Sequence, residues 1–142
     1  MKVVDANLLL YASDEESPRY RAARAWLERQ LAGRETLAFT WVVLLAFLRL
    51  STNPRVFRRP LSPAQAFDVL DRWLEQPCVV IVHPGDRHAA MVRELLESLG
   101  TAGNLVNDAH LAALAIEHGA ELNSCDSDFS RFSGLRWINP LD

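Results

Sequence analysis

Residues 2–12 read KVVDANLLLYA, and this stretch decides the fold class. Lys2 to Asp5 is a short β-branched run that ends in an acid, as expected for a buried first strand. Residues 6–12 then predict a helix that follows the strand directly. A strand that leads straight into a helix is the first unit of a parallel sheet covered by helices.

The same alternation continues along the chain. Further strands are predicted at residues 37–39, 78–82, 122–125 and 135–138, and CVVIV at 78–82 is the clearest of them. Helices are predicted from Ser17-Pro18 to Ala32, from Trp41 (capped by Thr40) to Ser51, from Ser62-Pro63 to Gln76, over 86–99 and over 104–118, with a turn or short helix at 127–132. The pattern predicts an α/β fold with a parallel sheet covered on both faces, in a single domain over residues 1–142.

Composition is that of a globular protein. The chain has 142 residues, of which 49% are hydrophobic and 23% charged, which argues against a disordered or fibrous chain. The longest uncharged run, residues 36–48, is too short to span a bilayer. The first residues carry one Lys and then an Asp inside the apolar stretch, unlike a secretory signal, so we expect a cytoplasmic protein without membrane partners. Cys78 and Cys125 lack CxxC partners and are expected to be buried, reduced thiols.

Charge is distributed unevenly along the chain. Residues 17–60 contain nine arginines and two glutamates, a net charge of +7, whereas the whole chain carries −3, so the remainder carries −10. This asymmetry indicates one surface that meets an anion and another that gathers carboxylates. The alternative is that the arginines only cover a solvated helix face and a loop.

Three acids are placed where they could act together. Asp5 and Asp126 each follow a predicted strand, and the carboxyl ends of parallel strands meet at one edge of the sheet, where ligands bind. Asp108 falls in the middle of the inward stripe of the helix over 104–118. A carboxylate that faces the core is costly unless it is paired or binds a cation.

Carboxylates that converge repel one another, and a divalent cation removes the repulsion. Oxygen-only ligands favour Mg²⁺ or Mn²⁺, which can activate water and stabilise the leaving oxygen of a phosphodiester. Each acid also has a purely structural interpretation: Asp5 could cap a helix and Asp126 could form an Asx turn. Asp128 could touch the metal or only cap the turn before Phe129.

Other chemistries find little support in the sequence. The chain contains no GxGxxG after a strand, no GxxxxGK[ST], no HExxH and no GxSxG. The four histidines, at 83, 88, 110 and 118, are scattered, and we expect surface or helix-end positions for them. A phosphatase or receiver-like acidic pocket is disfavoured because DxDxT does not follow the first strand.

Four segments together resemble a PIN-domain ribonuclease, and more narrowly the VapC-type toxins of bacterial toxin–antitoxin pairs. They are VVDANLLLYA, TNPRVF after an apolar helix, GNLVNDAHLAALAIEHGAEL and SCDSDFSRFSGLRWINPL, which occur in this order over nearly the whole chain. The resemblance implies a three-layer α/β/α sandwich with a mainly parallel sheet of about five strands. It further implies cleavage of RNA, often tRNA or rRNA, with Mg²⁺ or Mn²⁺, and a homodimer inhibited by a small VapB-type antitoxin.

The resemblance also assigns roles to residues. It implies Asp5, Asp108 and Asp126 as metal ligands, Asp128 as an additional catalytic acid, and Asn7 and Ser124 as residues that orient the carboxylates. The arginines of 17–60 would contact the phosphate backbone of RNA. An apolar groove lined by the Arg-rich helix and by 41–50 would hold the C-terminal segment of the antitoxin.

One position departs from the family pattern. The family usually carries a Glu three residues before the Arg of the apolar helix, and here Ala46 stands at that place while Arg49 remains. Asp128 or water could complete the metal shell, and Arg49 could reach an acid across the site, an RNA phosphate or only a backbone carbonyl. The same departure supports the alternative function of a degenerate PIN module that binds RNA or a protein without cleaving.

Overall fold

The computed structural model describes residues 1–142. The strands are β1 (Lys2–Val4), β2 (Leu37–Phe39), β3 (Val79–Ile81), β4 (Glu121–Asn123) and β5 (Trp137–Ile138). The helices are α1 (Ala6–Ser13), α2 (Tyr20–Ala32), α3 (Trp41–Ser51), α4 (Pro63–Leu74), α5 (His88–Leu99) and α6 (Val106–Glu117). Two short 3₁₀ helices, Gly103–Leu105 and Ser127–Arg131, complete the structure.

The five strands form one parallel sheet in the order β3-β2-β1-β4-β5. β1 is central: Lys2 is opposite Leu37 of β2 on one side and Glu121 of β4 on the other. The chain extends the sheet first from β1 towards β3 and later from β1 towards β5. The order therefore reverses at β1, and the crevice between the carboxyl ends of β1 and β4 is where such folds bind ligands.

Helices cover the sheet and pack in two groups along the chain. α1 contacts α2 and α3, α3 contacts α4, and α5 contacts α6. The core contains the whole of β2, and the fully buried Val3, Val4 and Leu122 of the two strands at the switch point. This arrangement confirms the predicted three-layer α/β/α architecture and its five-stranded parallel sheet.

Two predicted helix starts had the same Ser-Pro signal and different outcomes. At α4 the Ser62 hydroxyl accepts a hydrogen bond from the Gln65 backbone N–H while the Gln65 side chain accepts one from the Ser62 N–H, so the predicted cap is present as a full capping box. At α2 the Ser17 hydroxyl accepts a hydrogen bond from the Arg19 N–H at 3.1 Å, but this contact caps a turn before the helix and not the helix itself. Ser17 belongs to a turn in which the Tyr20 N–H donates to its carbonyl, and the helix begins only at Tyr20.

The clearest strand signal, CVVIV, belongs to an edge strand. β3 pairs only with β2, and its Val80 is 39% exposed. High β-propensity therefore predicted the strand correctly but did not show whether the strand lies at the centre or at the edge of the sheet. Propensity measures how well residues fit a pleated surface rather than burial alone.

Both cysteines are free and half-buried. No helix is long and apolar enough to cross a bilayer.

Removal of the Phe47 ring should destabilise the protein strongly. Phe47 has no exposed surface and packs edge-on against Trp73 with ring centroids 4.7 Å apart. Phe47→Ala should lower the free energy of unfolding by about 3–5 kcal/mol in urea denaturation. Phe67→Ala is the matched control, because Phe67 is 51% exposed and its truncation should change stability by less than about 0.5 kcal/mol. Equal losses for the two variants would contradict the described core.

Candidate active site

The acid that follows β1 is fixed on both of its oxygens. Asp5 Oδ1 accepts a hydrogen bond from the Ala6 N–H at 2.7 Å and so caps α1. Asp5 Oδ2 accepts from the Ser124 hydroxyl at 2.6 Å and from Asn7 Nδ2 at 3.2 Å. The helix-cap interpretation of Asp5 is thus correct, and it coexists with a place at the carboxyl edge of the sheet.

Asn7 and Ser124 tie the ends of β1 and β4 together. Asn7 Nδ2 also donates to Ser124 Oγ at 3.0 Å, and Asn7 Oδ1 accepts from the Cys125 N–H at 3.3 Å. Ser124 Oγ accepts from the Asp126 N–H at 3.0 Å. One hydroxyl therefore links the backbone of Asp126 to the carboxyl of Asp5, which is the contact that an orienting role for these two residues requires.

Three other carboxylates converge more closely. Asp108, in the first turn of α6, and Asp126 and Asp128, at the 3₁₀ helix after β4, each offer an oxygen within 4.8 Å of the others. Asp126 Oδ1 also accepts from the Asp128 N–H at 2.9 Å, which is the predicted Asx turn. Asp128 therefore belongs to the closest group of carboxylates, which is formed by Asp108, Asp126 and Asp128. Asp5 lies next to this group, since it lines an adjoining cavity together with Asp108.

The cluster is electrostatically strained in the absence of a cation. Burial, and then the charges of Asp126, Asp5 and Asp128, raise the pKa of the Asp108 carboxyl from its usual 3.8 to about 6. Burial also raises the pKa of Asp5, against the lowering effect of the Ser124 and Ala6 hydrogen bonds. None of the four acids takes part in an ion pair with a Lys, Arg or His side chain.

The donor set fits a hard divalent cation. All candidate ligands are carboxylate oxygens, which suit Mg²⁺ and Mn²⁺, and the cluster contains no thiolate or imidazole. A bound cation would offset the repulsion among the carboxylates, which together with burial raises the pKa of Asp108. Asp126 is half-buried and Asp128 exposed, so an ion held there would remain open to a substrate.

A small cavity adjoins the carboxylates at Ala46, the position at which this chain departs from the pattern described above. Its volume is about 130 Å³. Ala46 and Arg49 of α3 line it together with Asp5, Asn107 and Asp108. Arg49 is exposed and forms no ion pair, and its side chain donates no hydrogen bond to any acid. Asn107 was not predicted as a site residue from the sequence, although its position directly before Asp108 in the first turn of α6 was a usable signal.

Two histidines form a cluster that sequence spacing did not reveal. His88 Nε2 and His110 Nδ1 are 2.7 Å apart, and Glu117 Oε2 is 3.8 Å from His88 Nδ1. Glu117 also accepts a hydrogen bond from the Gly85 N–H at 3.2 Å. His88 is the first residue of α5, as a helix-end position requires, whereas His110 lies within α6 and is half-buried, so the expectation was wrong for His110. The pair joins α5 to α6 outside the carboxylate group.

The fold and the site together define a class: α/β proteins with a parallel sheet and a carboxylate site at the switch point of strand order. The PIN domain family model matches residues 2–135. Ribonuclease VapC37 of Mycobacterium tuberculosis (strain ATCC 25618 / H37Rv) is 49% identical over 140 residues, covering 99% of this chain and 97% of that protein. Ribonuclease VapC33 of the same strain is 42% identical over 141 residues, covering 99% of each. The chain therefore belongs to the PIN-domain family and, within it, to the VapC ribonucleases.

Solved structures share the fold at lower sequence identity. The crystal structure of VapBC2 from Rickettsia felis, bound to a DNA fragment from its promoter, has a TM-score of 0.71 at 23% identity and covers 97% of both chains. Mycobacterium tuberculosis VapC20 has a TM-score of 0.65 at 19% identity, covering 96% of this chain and 99% of that one. These likenesses confirm the PIN-like architecture.

The raised pKa of Asp108 predicts a pH-dependent stability in the metal-free protein. Because the folded state binds a proton up to about pH 6 and the unfolded state only up to about pH 3.8, the free energy of unfolding should fall as pH rises between these values. Asp108→Asn removes this loss. In EDTA at pH 7 the variant should be more stable than the wild type by about 1 kcal/mol, since solvent screening at a half-exposed site reduces the full effect of about 3 kcal/mol.

The free energy of unfolding is measured in urea at pH 7 and near pH 4. The wild type and Asp108→Asn should differ at pH 7 and have nearly equal stabilities near pH 4. Asp68→Asn is the control, because Asp68 is exposed on α4 and outside the cluster. A stability difference between wild type and Asp108→Asn that is the same at both pH values would contradict the electrostatic account.

Proposed function

We propose that the protein is a metal-dependent endoribonuclease toxin of a toxin–antitoxin pair, which acts in the cytoplasm by hydrolysing phosphodiester bonds of RNA. The observation that carries the proposal is the convergence of Asp108 with Asp126 and Asp128 at the switch point of the sheet. Asp5 lies beside this group: it lines the same cavity as Asp108 and is linked through Ser124 to the backbone of Asp126. Membership of the VapC ribonucleases supports the same reaction. The expected substrate class is tRNA or rRNA.

The acids have distinct parts in this reaction. Asp5, Asp108 and Asp126 hold Mg²⁺ or Mn²⁺, and Asp128, inside the closest group, supplies the carboxylate that Ala46 does not. A divalent cation held there lowers the pKa of water and offsets negative charge on the phosphate. With a pKa of about 6, Asp108 is largely ionised at neutral pH and ready to bind the cation.

The orienting residues act through Asp5. Ser124 and Asn7 both donate to Asp5 Oδ2, which fixes the plane of the carboxyl group, while Oδ1 accepts only from the Ala6 N–H and keeps a lone pair available for a cation. Because Ser124 also accepts from the Asp126 N–H, the same hydroxyl sets the position of the loop that carries Asp126 and Asp128.

The arginines at the end of α3 and in the loop that follows are suited to bind the RNA backbone. Arg49, Arg55, Arg58 and Arg59 are exposed and form no ion pairs, whereas Arg24 of α2 is paired with Glu28 at 2.8 Å. Unpaired arginines can contact phosphates without first breaking an internal ion pair. Binding through them should weaken with salt.

The antitoxin would bind a groove between α2 and α4. A cavity of about 350 Å³ there is lined by apolar residues of α2 and α4, including Leu27, Val69 and Trp73, and by Arg24 and Arg72. Residues 41–50, which are also predicted to line the antitoxin groove, do not line this cavity, which α4 borders together with α2. Glu15 and Glu28 also line the cavity, and Glu28 is paired with Arg24, so the rim carries both signs of charge. Such a groove suits a segment with apolar anchors and polar flanks.

A homodimer remains part of the proposal. Trp41 and Leu45 lie on the outer face of α3 and are 47% and 58% exposed, and Val106 at the start of α6 is 43% exposed. Exposed apolar side chains of this size are typical of a surface that another protein chain covers.

One observation favours a second candidate function. Since Ala46 leaves α3 without a carboxylate at the metal site, the chain could be a PIN module that binds RNA or a protein partner without cleaving. The two functions differ in metal binding, because a module without catalysis has no need of the cation.

Cleavage assays test the proposal directly. The purified protein with Mn²⁺ should cut total RNA, and EDTA should stop the reaction. Asp5→Asn should reduce the rate by at least about 100-fold, since it removes a metal ligand and not merely a residue that orients one. Asp68→Asn, which removes an exposed carboxylate outside the site, should cleave as the wild type does. Equal cutting by Asp5→Asn and wild type would indicate a contaminating nuclease. No Mn²⁺ binding at millimolar concentration, measured by calorimetry, would favour the non-cleaving module.

A charge in the α2–α4 groove should prevent antitoxin binding. Val69→Glu places a carboxylate among the apolar side chains of the groove, so the co-expressed cognate antitoxin should no longer co-purify or relieve growth arrest. Phe67→Glu is the matched control, because Phe67 lies on the same helix but outside the groove. Loss of the complex with Phe67→Glu but not with Val69→Glu would place the antitoxin elsewhere.

A further inference from the structure

The two facing histidines lie at an open cavity that the carboxylates do not line. The cavity has a volume of about 590 Å³, and His88 at the start of α5 and His110 of α6 line it together. The planes of the two imidazole rings cross at 84°, and His88 Nε2 is 2.7 Å from His110 Nδ1. The rings therefore meet through their nitrogens and not by stacking, and both residues border open space.

Glu117 determines which nitrogen of His88 carries a proton. Glu117 Oε2 lies 3.8 Å from His88 Nδ1, and the same oxygen accepts a hydrogen bond from the Gly85 N–H at 3.2 Å. His88 Nδ1 is buried and has no hydrogen-bond partner. A carboxylate beside this nitrogen favours a proton on Nδ1, so His88 Nε2 turns an unprotonated lone pair towards His110.

A carboxylate beside one ring nitrogen and a lone pair on the other is an arrangement that suits a metal-binding histidine. The carboxylate fixes the tautomer, orients the ring and makes the imidazole a stronger ligand. His110 offers a second imidazole nitrogen from the neighbouring helix. Imidazole suits ions such as Zn²⁺, whereas Mg²⁺ prefers oxygen ligands, so the histidine pair and the carboxylate group favour different ions.

We propose that His88 Nε2 and His110 Nδ1 form a metal site separate from the carboxylates, which binds Zn²⁺ or a divalent ion of similar ligand preference and links α5 to α6. The proposal is independent of the proposed nuclease function. Zn–N bonds of about 2.0–2.1 Å in a tetrahedral site place two nitrogens roughly 3.3 Å apart, so the present 2.7 Å must widen by about 0.6 Å. His88 is the first residue of α5 and follows residues 82–87, which belong to no helix or strand, so this shift requires no change inside a helix.

Binding of the ion changes a tautomer and involves no redox step. Without metal, His110 Nδ1 donates the hydrogen bond between the rings to His88 Nε2. With metal, both nitrogens give their lone pairs to the ion, and the proton of His110 Nδ1 moves through solvent to Nε2 of the same ring. His110 Nε2 forms no hydrogen bond within the protein and is free to take this proton. Water from the cavity completes a tetrahedral shell.

Calorimetry with Zn²⁺, in the presence of excess Mg²⁺ to occupy the carboxylates, tests the site in the full chain. His88→Ala removes a ligand and should weaken Zn²⁺ binding by at least about 100-fold. Glu117→Gln changes only the residue that orients His88 and should weaken it by about tenfold. His83→Ala is the matched control, because His83 is exposed and lies outside the cavity, and it should bind Zn²⁺ as the wild type does.

Nitrogen-15 NMR of the imidazole rings tests the same site in the wild-type protein, without a substitution that could disturb folding. Without Zn²⁺, both His88 and His110 should carry their proton on Nδ1. One equivalent of Zn²⁺ should move the His110 proton to Nε2 and shift the resonances of His88 Nε2 and His110 Nδ1. The rings of His83 and His118 should keep their metal-free spectra.

Three results would overturn the site. Equal Zn²⁺ affinities of the wild type and His88→Ala would assign the ion to the carboxylates. Imidazole spectra of His88 and His110 that do not change with Zn²⁺ would show that the two rings form only a hydrogen bond. Wild-type Zn²⁺ affinity of Glu117→Gln would remove the role of Glu117, on which the tautomer of His88 depends. None of these results bears on RNA cleavage with Mn²⁺, since the variants leave every carboxylate of the cluster in place.

Discussion

Mutual repulsion among carboxylates at one edge of the sheet is the constraint around which the rest of the structure is arranged. Four acids approach one another without a neutralising side chain, and burial together with their charges raises the pKa of Asp108 to about 6. Hydrogen bonds hold the group in place against this repulsion: the Ser124 hydroxyl and Asn7 amide on Asp5, and the Asp128 N–H on Asp126. The repulsion lowers the free energy of unfolding, and a ligand is needed to balance the charge of the site, as is common for functional sites.

Short strands and their register bring the acids together. The pairing of Val4 with Asn123 places the residues that follow β1 and β4 side by side, so Asp5 and Ser124 meet although 119 positions separate them. Helix α6 delivers Asp108 from its first turn, and the buried small residues of the same helix, among them Ala109 and Ala112, let it pack closely on the core. The site is therefore built from the ends of elements whose interiors are held by packing.

The sequence allowed the fold and the location of the site to be predicted because both follow from local patterns. β-branched runs that end in acids indicated the sheet edge, and helical periodicity turned Asp108 towards it. Details that depend on the third dimension were not predictable. Ser17 could cap the helix or a turn before it, and the lining of the cavity at α2 depended on whether α3 or α4 borders it. The pairing of His88 with His110 required the packing of α5 on α6. The relative closeness of Asp128 and Asp5 to Asp108 likewise depends on side-chain directions, which spacing along the chain does not encode.

Ala46 shows how one substitution can alter a site without dismantling it. The position lies on α3 beside Asp5 and Asp108, and its small side chain leaves space between acids and an unpaired arginine. The central claim remains that Asp5, Asp108 and Asp126 bind one hard ion. Anomalous diffraction from crystals grown with Mn²⁺ tests it most directly. The account predicts a single strong peak with carboxylate oxygens of these acids at about 2.0–2.3 Å. A peak at His88 and His110 instead, or no peak among the carboxylates at millimolar Mn²⁺, would contradict it.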